Sequence, residues 1–349
     1  MGPGVAVADI RNAVRDCVAD LRRGDLVLVA CSGGADSVAL AAALAFTGPR
    51  LGLRCGGVTV DHGLQPGSAE RAAGVAGLLV DLKLDPVYNI KVQVPGVPGS
   101  GGLEAAARAA RYRALDEVAN RTPRDPWHDE EPASDARAAG AGREPAVVLL
   151  GHTLDDQAET VLLGLARGAG ARSLAGMPPR RGHYRRPLLG VRRITTLTAC
   201  AELGFDPWRD PHNEDQRFAR ARVRHQALPA LEAALGPGVA EALARTARQL
   251  RADADCLDDL AFAESGHLRE GGSDPAGLDV TWLAALPEAI RTRILHEAAI
   301  MAGSPAGSLS AKHVQQMDEL VTSWHGQRWA DLPGGVRVRR QNGRLWFTG

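Results

Sequence analysis

Lysine is nearly absent from this chain: Lys83, Lys91 and Lys312 are three among 41 basic residues, and 41 acidic residues leave no net charge. A whole-molecule field that would draw in a polyanion is excluded, so any nucleic-acid contact must be a local patch. The five cysteines, Cys17, Cys31, Cys55, Cys200 and Cys256, are widely spaced and contain no C-x-x-C pair. Neither a disulfide framework nor a zinc site is indicated, and all five read as small buried hydrophobes. No segment reaches the ~18 consecutive apolar residues of a membrane helix, and the start of the chain lacks a basic stretch leading into a signal core. The expectation is a cytoplasmic protein without membrane contact. No Gly-Lys dipeptide occurs, which excludes a Walker-type phosphate loop, and no G-x-G-x-x-G follows a strand.

With 349 residues, 45% of them hydrophobic, the chain can bury more than one core. Ile10, Val14, Val18 and Leu21 share one helical face, and the apolar run Leu26 to Ala30 has the form of a buried strand. The alternation continues with a strand at Gly57 to Val60, a helix at Ser68 to Leu82, a strand at Val87 to Val94, a helix at Leu103 to Ala119 and a strand at Val147 to Leu150. Such alternation predicts an α/β fold, a doubly wound parallel sheet covered by helices on both faces, with ligands beyond the carboxyl ends of the strands. Residues 122–145, rich in Pro, Asp, Glu, Ala and Gly, read as a surface insertion. From Val239 the pattern becomes long-helical, with Val239, Leu243, Leu250, Leu257 and Leu260 on one stripe. Asn342-Gly343 between alternating runs predicts a closing β-hairpin. The expected division is a catalytic domain over 1–231 and a smaller, mostly helical substrate-binding domain over 232–349 that ends in that hairpin.

The sharpest local feature is Cys31-Ser-Gly-Gly-Ala-Asp-Ser37, between the first strand and the helical run Val38 to Phe46. Gly33 and Gly34 let backbone approach a ligand closely, the helix start offers unpaired N–H groups, and Ser32 and Ser37 add hydroxyls. A phosphate chain fits, although glycine turns before helices also serve as plain connectors. Residues Ser32, Gly33, Gly34, Ala35, Asp36 and Ser37 match the SGGxDS signature, so the segment resembles the PP-loop ATP pyrophosphatases, which cleave ATP between the α- and β-phosphates. The resemblance implies ATP as cosubstrate and a Mg2+ ion held in part by Asp36. The alternative for Asp36 is a simple helix cap.

Further motifs narrow the family. Val60-Asp-His-Gly-Leu-Gln65, Glu104 to Tyr112, Gly151-His-Thr-Leu-Asp-Asp-Gln-Ala-Glu-Thr160, Arg186-Pro-Leu-Leu189 and Trp208 to Asp215 follow in an order that resembles the tRNA(Ile)-lysidine synthetases. The resemblance runs from Ser32 to Pro229. It implies that the C2 oxygen of the wobble cytidine in a CAU-anticodon tRNA(Ile) attacks the α-phosphorus of ATP, after which the ε-amine of free L-lysine displaces AMP. Codon specificity would change from AUG to AUA, and amino-acid identity from methionine to isoleucine. One departure is Ala221, where the family commonly has Asn.

Carboxylates are needed to hold or deprotonate the lysine ammonium. Asp155 and Glu159 are spaced i, i+4 and Asp156 and Glu159 i, i+3 on the helix after Thr153, so acids share a face there. Asp36, Asp156 and Glu159 are the expected catalytic residues, with the helix dipole accounting for one of the first-turn acids. His62 and His152 follow strand ends, and His62 is placed with the nucleotide-binding set. Arg108 and Arg111 could fork to phosphates or pair along their own helix with Glu104 and Glu117. Residues 180–193 carry six arginines, one histidine and no acid. With Arg217, Arg220, Arg222 and Arg224, and onward through Arg245, Arg248 and Arg251, they form a candidate phosphate track, from which Arg186, Arg192, Arg220, Arg222 and Arg224 are the expected tRNA contacts. Trp208 reads as core. The rival readings are a PP-loop tRNA thiolase, an ammonia-dependent synthetase and a non-catalytic ATP- or RNA-binding module. A homodimer is compatible with the sequence but not required by it.

Overall fold

The computed structural model describes residues 3–94, 102–121, 145–168, 170–211, 214–266, 277–327 and 329–349. The insertion expected at 122–145, apart from its last residue, lies outside the described residues, as do His212, Asn213 and the Glu104 side chain. The chain divides into two compact units, Met1–Leu163 with Met177–Arg245, and Gly164–Gly176 with Thr246–Gly349.

The first unit is the expected α/β layer structure. Its elements are α1 (Val5–Cys17), β1 (Leu26–Ala30), α2 (Ala35–Thr47), β2 (Arg54–Asp61), α3 (Ser68–Asp81), β3 (Val87–Lys91), α4 (Gly102–Arg121), β4 (Val147–Leu150) and α5 (Leu154–Leu165). The short helix α6 (Ala171–Leu174) belongs to the second unit, and the first resumes with β5 (Arg180–Arg181), β6 (Tyr184–Arg185), α7 (Arg193–Glu202), α8 (Ala219–Arg222) and α9 (Leu228–Leu235). The sheet order is β3-β2-β1-β4-β6-β5. Every neighbouring pair is parallel except β5 with β6.

Strand alternation explains the two cores. Val27, Val29, Val147 and Leu149 pack on one face with α1 and α2 residues such as Ile10, Val14, Leu40 and Leu44. Leu26, Leu28, Val148 and Leu150 pack on the other with Leu115, Val118 and Ala119 of α4. Both faces of β1 and β4 are covered, so their sequences read as unbroken apolar runs. β1 is bonded to β2 on one side and β4 on the other. The direction of winding reverses there, and that reversal opens a crevice beyond the strand ends.

The arginine run at 180–193 differs from a solvated face. Two-residue strands extend the sheet through it, and Tyr184 and Arg185 are buried. Arg185 can be buried because Asp20 accepts from its Nη1 at 2.6 Å and its Nη2 at 3.0 Å. Those hydrogen bonds hold the Asp20 carboxyl down at about 2. Arg180 joins the same carboxylate.

α8 and α9 run through one wide turn, Val223–Ala227, in which the Leu228 amide reaches back five residues to Val223 O. Pro229 follows directly. A proline ring clashes with the carbonyl four residues earlier, and widening the helix by one residue relieves that clash.

α10 (Val239–Glu264) continues from the first unit into the second. Its most buried positions are Ala240, Ala247, Ala254 and Ala261, seven residues apart, with Ala244 beside them. The expected leucine stripe is thus an alanine stripe flanked by half-buried Leu243, Leu250 and Leu257, and Leu260 is 51% exposed. Small side chains allow neighbouring backbone to approach this helix more closely than leucines would.

In the second unit, helices Val280–Ala285, Glu288–Met301 and Ala311–Thr322 pack on an antiparallel sheet of order β7-β10-β9-β8. Its strands are β7 (Leu278–Asp279), β8 (Ala330–Asp331), β9 (Arg337–Gln341) and β10 (Arg344–Thr348). Asn342 and Gly343 both have positive φ, 51° and 72°, as a two-residue hairpin turn requires. The hairpin is therefore the centre of a four-stranded sheet, whose outer strands of two residues are too short to show a period.

Candidate active site

The crevice beyond β1 and β4 is a cavity of about 1030 Å³. The phosphate loop forms one wall. Gly34 stands at the start of α2 and no side chain caps the helix, so its first N–H groups have no partner within the helix and face outward with the positive end of the dipole. Ser37 Oγ donates to Gly34 O at 2.8 Å and accepts from the Ser32 amide at 3.1 Å, which fixes the turn from inside. Gly33 O accepts from the Trp208 amide at 2.9 Å, pinning the loop to the segment after α7.

Gly33 has φ +85°, and a Cβ built there would lie 2.8 Å from Val75 Cγ2. A left-handed conformation costs an L-residue about 1–2 kcal/mol. Gly33→Ala is accordingly expected to weaken binding of a non-hydrolysable ATP analogue roughly tenfold by calorimetry, since 1.4 kcal/mol is a factor of about ten. Wild-type affinity in that variant would contradict a nucleotide role for the loop.

Behind the loop lies a cluster of alternating charge. Asp36, in the first turn of α2, accepts from Thr196 Oγ1 and lies 3.6 Å from Arg193 Nε. It does not cap its own helix. Arg193 also reaches Asp156 Oδ1 at 2.7 Å and Glu159 Oε1 at 3.3 Å. Arg224 Nε is 2.7 Å from Glu159 Oε1, and Arg220 Nε is 3.2 Å from Glu159 Oε2. Glu159 is fully buried and receives three guanidiniums. Asp155 accepts from the Arg193 amide at 2.7 Å, so this first-turn acid caps α7 from outside. It also lies 3.2 Å from Arg192 Nε, whose Nη1 meets Glu241 at 2.5 Å. Asp36, Asp155, Asp156, Glu159 and Glu241 thus face Arg192, Arg193, Arg220 and Arg224, five carboxylates to four guanidiniums.

The carboxyls differ within this set. Burial raises the Asp36 carboxyl above its ordinary value, a rise that Thr196 and Arg193 only partly offset. Burial would also raise Asp156, but Arg193 and the Thr153 amide, which donates at 2.8 Å, hold it below the ordinary range. Asp156 therefore stays ionised, whereas Asp36 lacks full compensation for its charge. A cation beside Asp36 would supply it. The described residues contain no group of three or more His, Cys, Asp or Glu that could hold a metal ion by themselves. A Mg2+ ion held by one carboxylate together with substrate phosphates fits this donor set, since Mg2+ needs few protein ligands.

His152 follows β4 and lines the cavity, and its buried Nδ1 has no hydrogen-bond partner. Burial drives its pKa down to about 3 despite nearby Asp156. The ring is therefore neutral across the physiological range. In the unfolded chain the same histidine titrates near 6.5, so the stability its neutral form contributes is present above ~6.5 and is lost as pH falls toward about 3. The imidazole resonances of His152 should stay fixed between about pH 5 and 8, and a titration midpoint near 6.5 would contradict the burial argument. His62 lines the same cavity, also has an unpartnered buried Nδ1, and is lowered by burial and by Arg111.

The PP-loop domain family matches residues 7–124 and 138–231, and the TilS substrate binding domain family matches residues 278–346. The chain is 55% identical over 344 residues to a tRNA(Ile)-lysidine synthase of Thermobifida fusca, covering 99% of this chain and 98% of the relative. It is 50% identical to a tRNA(Ile)-lysidine synthase of Streptomyces coelicolor, covering 99% of each. The chain belongs to the tRNA(Ile)-lysidine synthase family. A solved structure of the U34-tRNA thiolase NcsA from Methanococcus maripaludis, with its [4Fe-4S] cluster, has a TM-score of 0.53 and 17% identity, covering 70% of this chain and 79% of that one. That likeness concerns the fold alone.

For a lysidine synthase family member, the structure brings Ser32, Gly34, Ala35, Asp36, Ser37, His62 and Asp156 to one cavity, with Gly33 shaping the loop. Glu159 lies behind that wall, beside a smaller cavity of about 120 Å³. Of the expected tRNA contacts, Arg192, Arg220 and Arg224 are engaged by the acidic cluster. Arg186 is buried and donates to Pro178 O at 2.9 Å, while Arg222 donates to Gln216 O at 2.8 Å. Arg193 was not singled out from the sequence, although it ties three carboxylates together. A sequence signal existed, because an arginine opening a helix opposes the dipole and calls for acids nearby. Trp208 is a half-buried wall of the cavity, with the Arg71 guanidinium 4.7 Å from its ring, and not core. Cys31, Cys55 and Cys200 are buried as expected, but Cys17 is half-buried and Cys256 exposed.

Proposed function

We propose that the chain acts as a tRNA(Ile)-lysidine synthase, an ATP-dependent C–N ligase that converts the wobble cytidine of CAU-anticodon tRNA(Ile) to lysidine, releasing AMP and pyrophosphate. The observation that carries the reading is the uncapped phosphate loop and the acid–arginine cluster around one cavity, in a chain related to lysidine synthases over 99% of its length.

The first step forms a bond from the cytidine C2 oxygen to the α-phosphorus and breaks the bond to pyrophosphate. The α2 N-terminus and the loop hydroxyls would bind the phosphates, with Mg2+ held at Asp36. That ion would neutralise charge on the phosphate oxygens. Arg193, bridging Asp36 and Asp156, would keep both carboxylates in register with the loop. In the second step the lysine ε-amine, having lost a proton, bonds to C2, and the C2 oxygen departs with AMP. Asp156, ionised and at the cavity wall, is the proposed anchor for the lysine ammonium. Glu159 is proposed to position Arg193, Arg220 and Arg224, a direct contact with lysine requiring that one of them yield. Neutral His152 offers a hydrogen bond to base or amine.

A thiolase reading would call on activated thiols. The two cysteines that line the cavity, Cys31 and Cys200, have their thiols raised by burial, Cys200 to about 11, which disfavours the thiolate. The test is transfer of radiolabelled lysine to an unmodified CAU-anticodon tRNA(Ile) with ATP and Mg2+. Incorporation that requires both, and spares a methionine tRNA with the same anticodon, is expected. Absence of transfer to tRNA(Ile) would overturn the reading. We place the reaction in the cytoplasm; sedimentation with and without tRNA would show whether a homodimer is the working form.

A further inference from the structure

Residues 205–210 all line the catalytic cavity, yet they form neither helix nor strand. Their path must therefore be set by individual contacts. The Phe205 amide donates to Cys200 O at 2.9 Å, which anchors the segment to the end of α7. The Trp208 amide donates to Gly33 O at 2.9 Å, so the segment also bears on the one loop residue with positive φ. A Cβ built on Gly33 would lie 3.9 Å from Trp208 Cβ, and one built on Gly34 would lie 3.9 Å from Trp208 O. The segment thus lies directly against the phosphate loop.

α3 holds it from the other side. Arg71 closes the first turn of α3, where a cation opposes the helix dipole. No carboxylate lies within ion-pair distance of it among the described residues. Its guanidinium is spent on neutral partners instead: Nη1 donates to Pro66 O at 2.9 Å and Nη2 to Gln65 Oε1 at 3.1 Å, while Cζ lies 4.7 Å from the centre of the Trp208 ring. Gln65 Nε2 in turn donates to Asp210 Oδ1 at 3.1 Å. The segment is therefore gripped at Trp208 and again at Asp210. Val75, one turn after Arg71 on the same face of α3, has its Cγ2 2.8 Å from where a Gly33 Cβ would stand. One face of one helix thus meets both the loop and the segment that supports it.

We propose that Arg71 is a positioning residue for ATP: its planar fork and the Trp208 indole clip residues 205–210 to α3, and the clip holds Gly33 in the turn that presents the loop amides to the phosphates. This rests on ATP use by the phosphate loop and adds a residue outside the loop that sets how tightly the nucleotide is held. Arg71 acts through Trp208, not by touching the reacting atoms.

The test measures binding of a non-hydrolysable ATP analogue to the full chain by calorimetry, with lysine transfer followed in parallel while ATP and lysine are varied separately. Arg71→Met is expected to weaken analogue binding about tenfold, the scale of one lost cation–π contact. Trp208→Ala should do the same, and Trp208→Phe, which keeps a ring under the guanidinium, should retain most of the affinity. The double variant Arg71→Met with Trp208→Ala should bind no more weakly than the worse single one, because the two residues work as a unit. Arg71→Lys should behave as Arg71→Met, since an ammonium lacks the fork that meets Pro66 O and Gln65 while lying over the ring. In each case KM for ATP should rise and KM for lysine hold. Full affinity in Arg71→Lys would mean that charge alone is used, additive losses in the double variant that Arg71 acts apart from Trp208, and an equal rise in KM for lysine that the contact is general packing. Each of these overturns the proposal, as does unchanged affinity in Arg71→Met. A wild-type chain that does not bind the analogue overturns instead the ATP reading on which the proposal rests.

Discussion

Asp36→Asn is expected to lower kcat for lysine transfer by on the order of 10³-fold, comparable with removal of a preorganised charge at a reacting centre. The substitution keeps the shape of the side chain, and an amide oxygen can still accept from Thr196. It removes a negative charge that burial already disfavours, raising the carboxyl above its ordinary value, the feature that favours a cation there. Because the charge is poorly compensated in the free protein, its loss should leave the urea midpoint unchanged or slightly raised. Stability and activity thus move separately. A variant with near-normal turnover would remove Asp36 from the chemistry, and a large fall in the urea midpoint would make its role architectural.

Glu159→Gln should do the opposite. The carboxylate is fully buried and within 2.7–3.3 Å of guanidinium nitrogens from Arg193, Arg220 and Arg224. Removing one partner of a buried ion pair leaves uncompensated charge and costs about 3–5 kcal/mol. Arg193 would lose a tether and with it the geometry of Asp36 and Asp156. The urea midpoint should fall by roughly 1–2 M, with activity lost in proportion to misplaced arginines. Replacing Arg220 as well should recover part of the lost stability, since it removes one of the stranded cations. A single variant as stable as wild type would show that the cluster does not depend on its buried centre.

Much of the catalytic layer was legible because each level of the sequence agrees there. The apolar runs at Leu26–Ala30 and Val147–Leu150 are strands, the glycine loop follows the first, and the acidic helix follows the second. The closing turn was equally legible, because Asn342-Gly343 carries its backbone requirement in its residue types. Two-residue strands such as Arg180–Arg181 and Leu278–Asp279 have no period to detect. The arginines were misleading for a different reason. Spacing along the chain placed Arg192, Arg220 and Arg224 in a surface track, whereas their partners Asp155, Asp156 and Glu159 are remote in sequence. Charge pairing across 34 to 68 residues is a property of the fold and leaves no local mark. The alanine stripe of α10 is not legible from hydrophobic side-chain size, because the most buried positions are the alanines at every seventh residue and Leu260 is exposed.

The most direct test of the account is nucleoside analysis by mass spectrometry of CAU-anticodon tRNA(Ile) after reaction with the purified chain, ATP, Mg2+ and lysine labelled at the ε-nitrogen. The account predicts that the wobble cytidine gains one lysine with loss of one water, that the label lies in the new C–N bond, and that AMP appears in equal amount. An unmodified wobble cytidine, or one that has gained sulfur or ammonia instead, would contradict it.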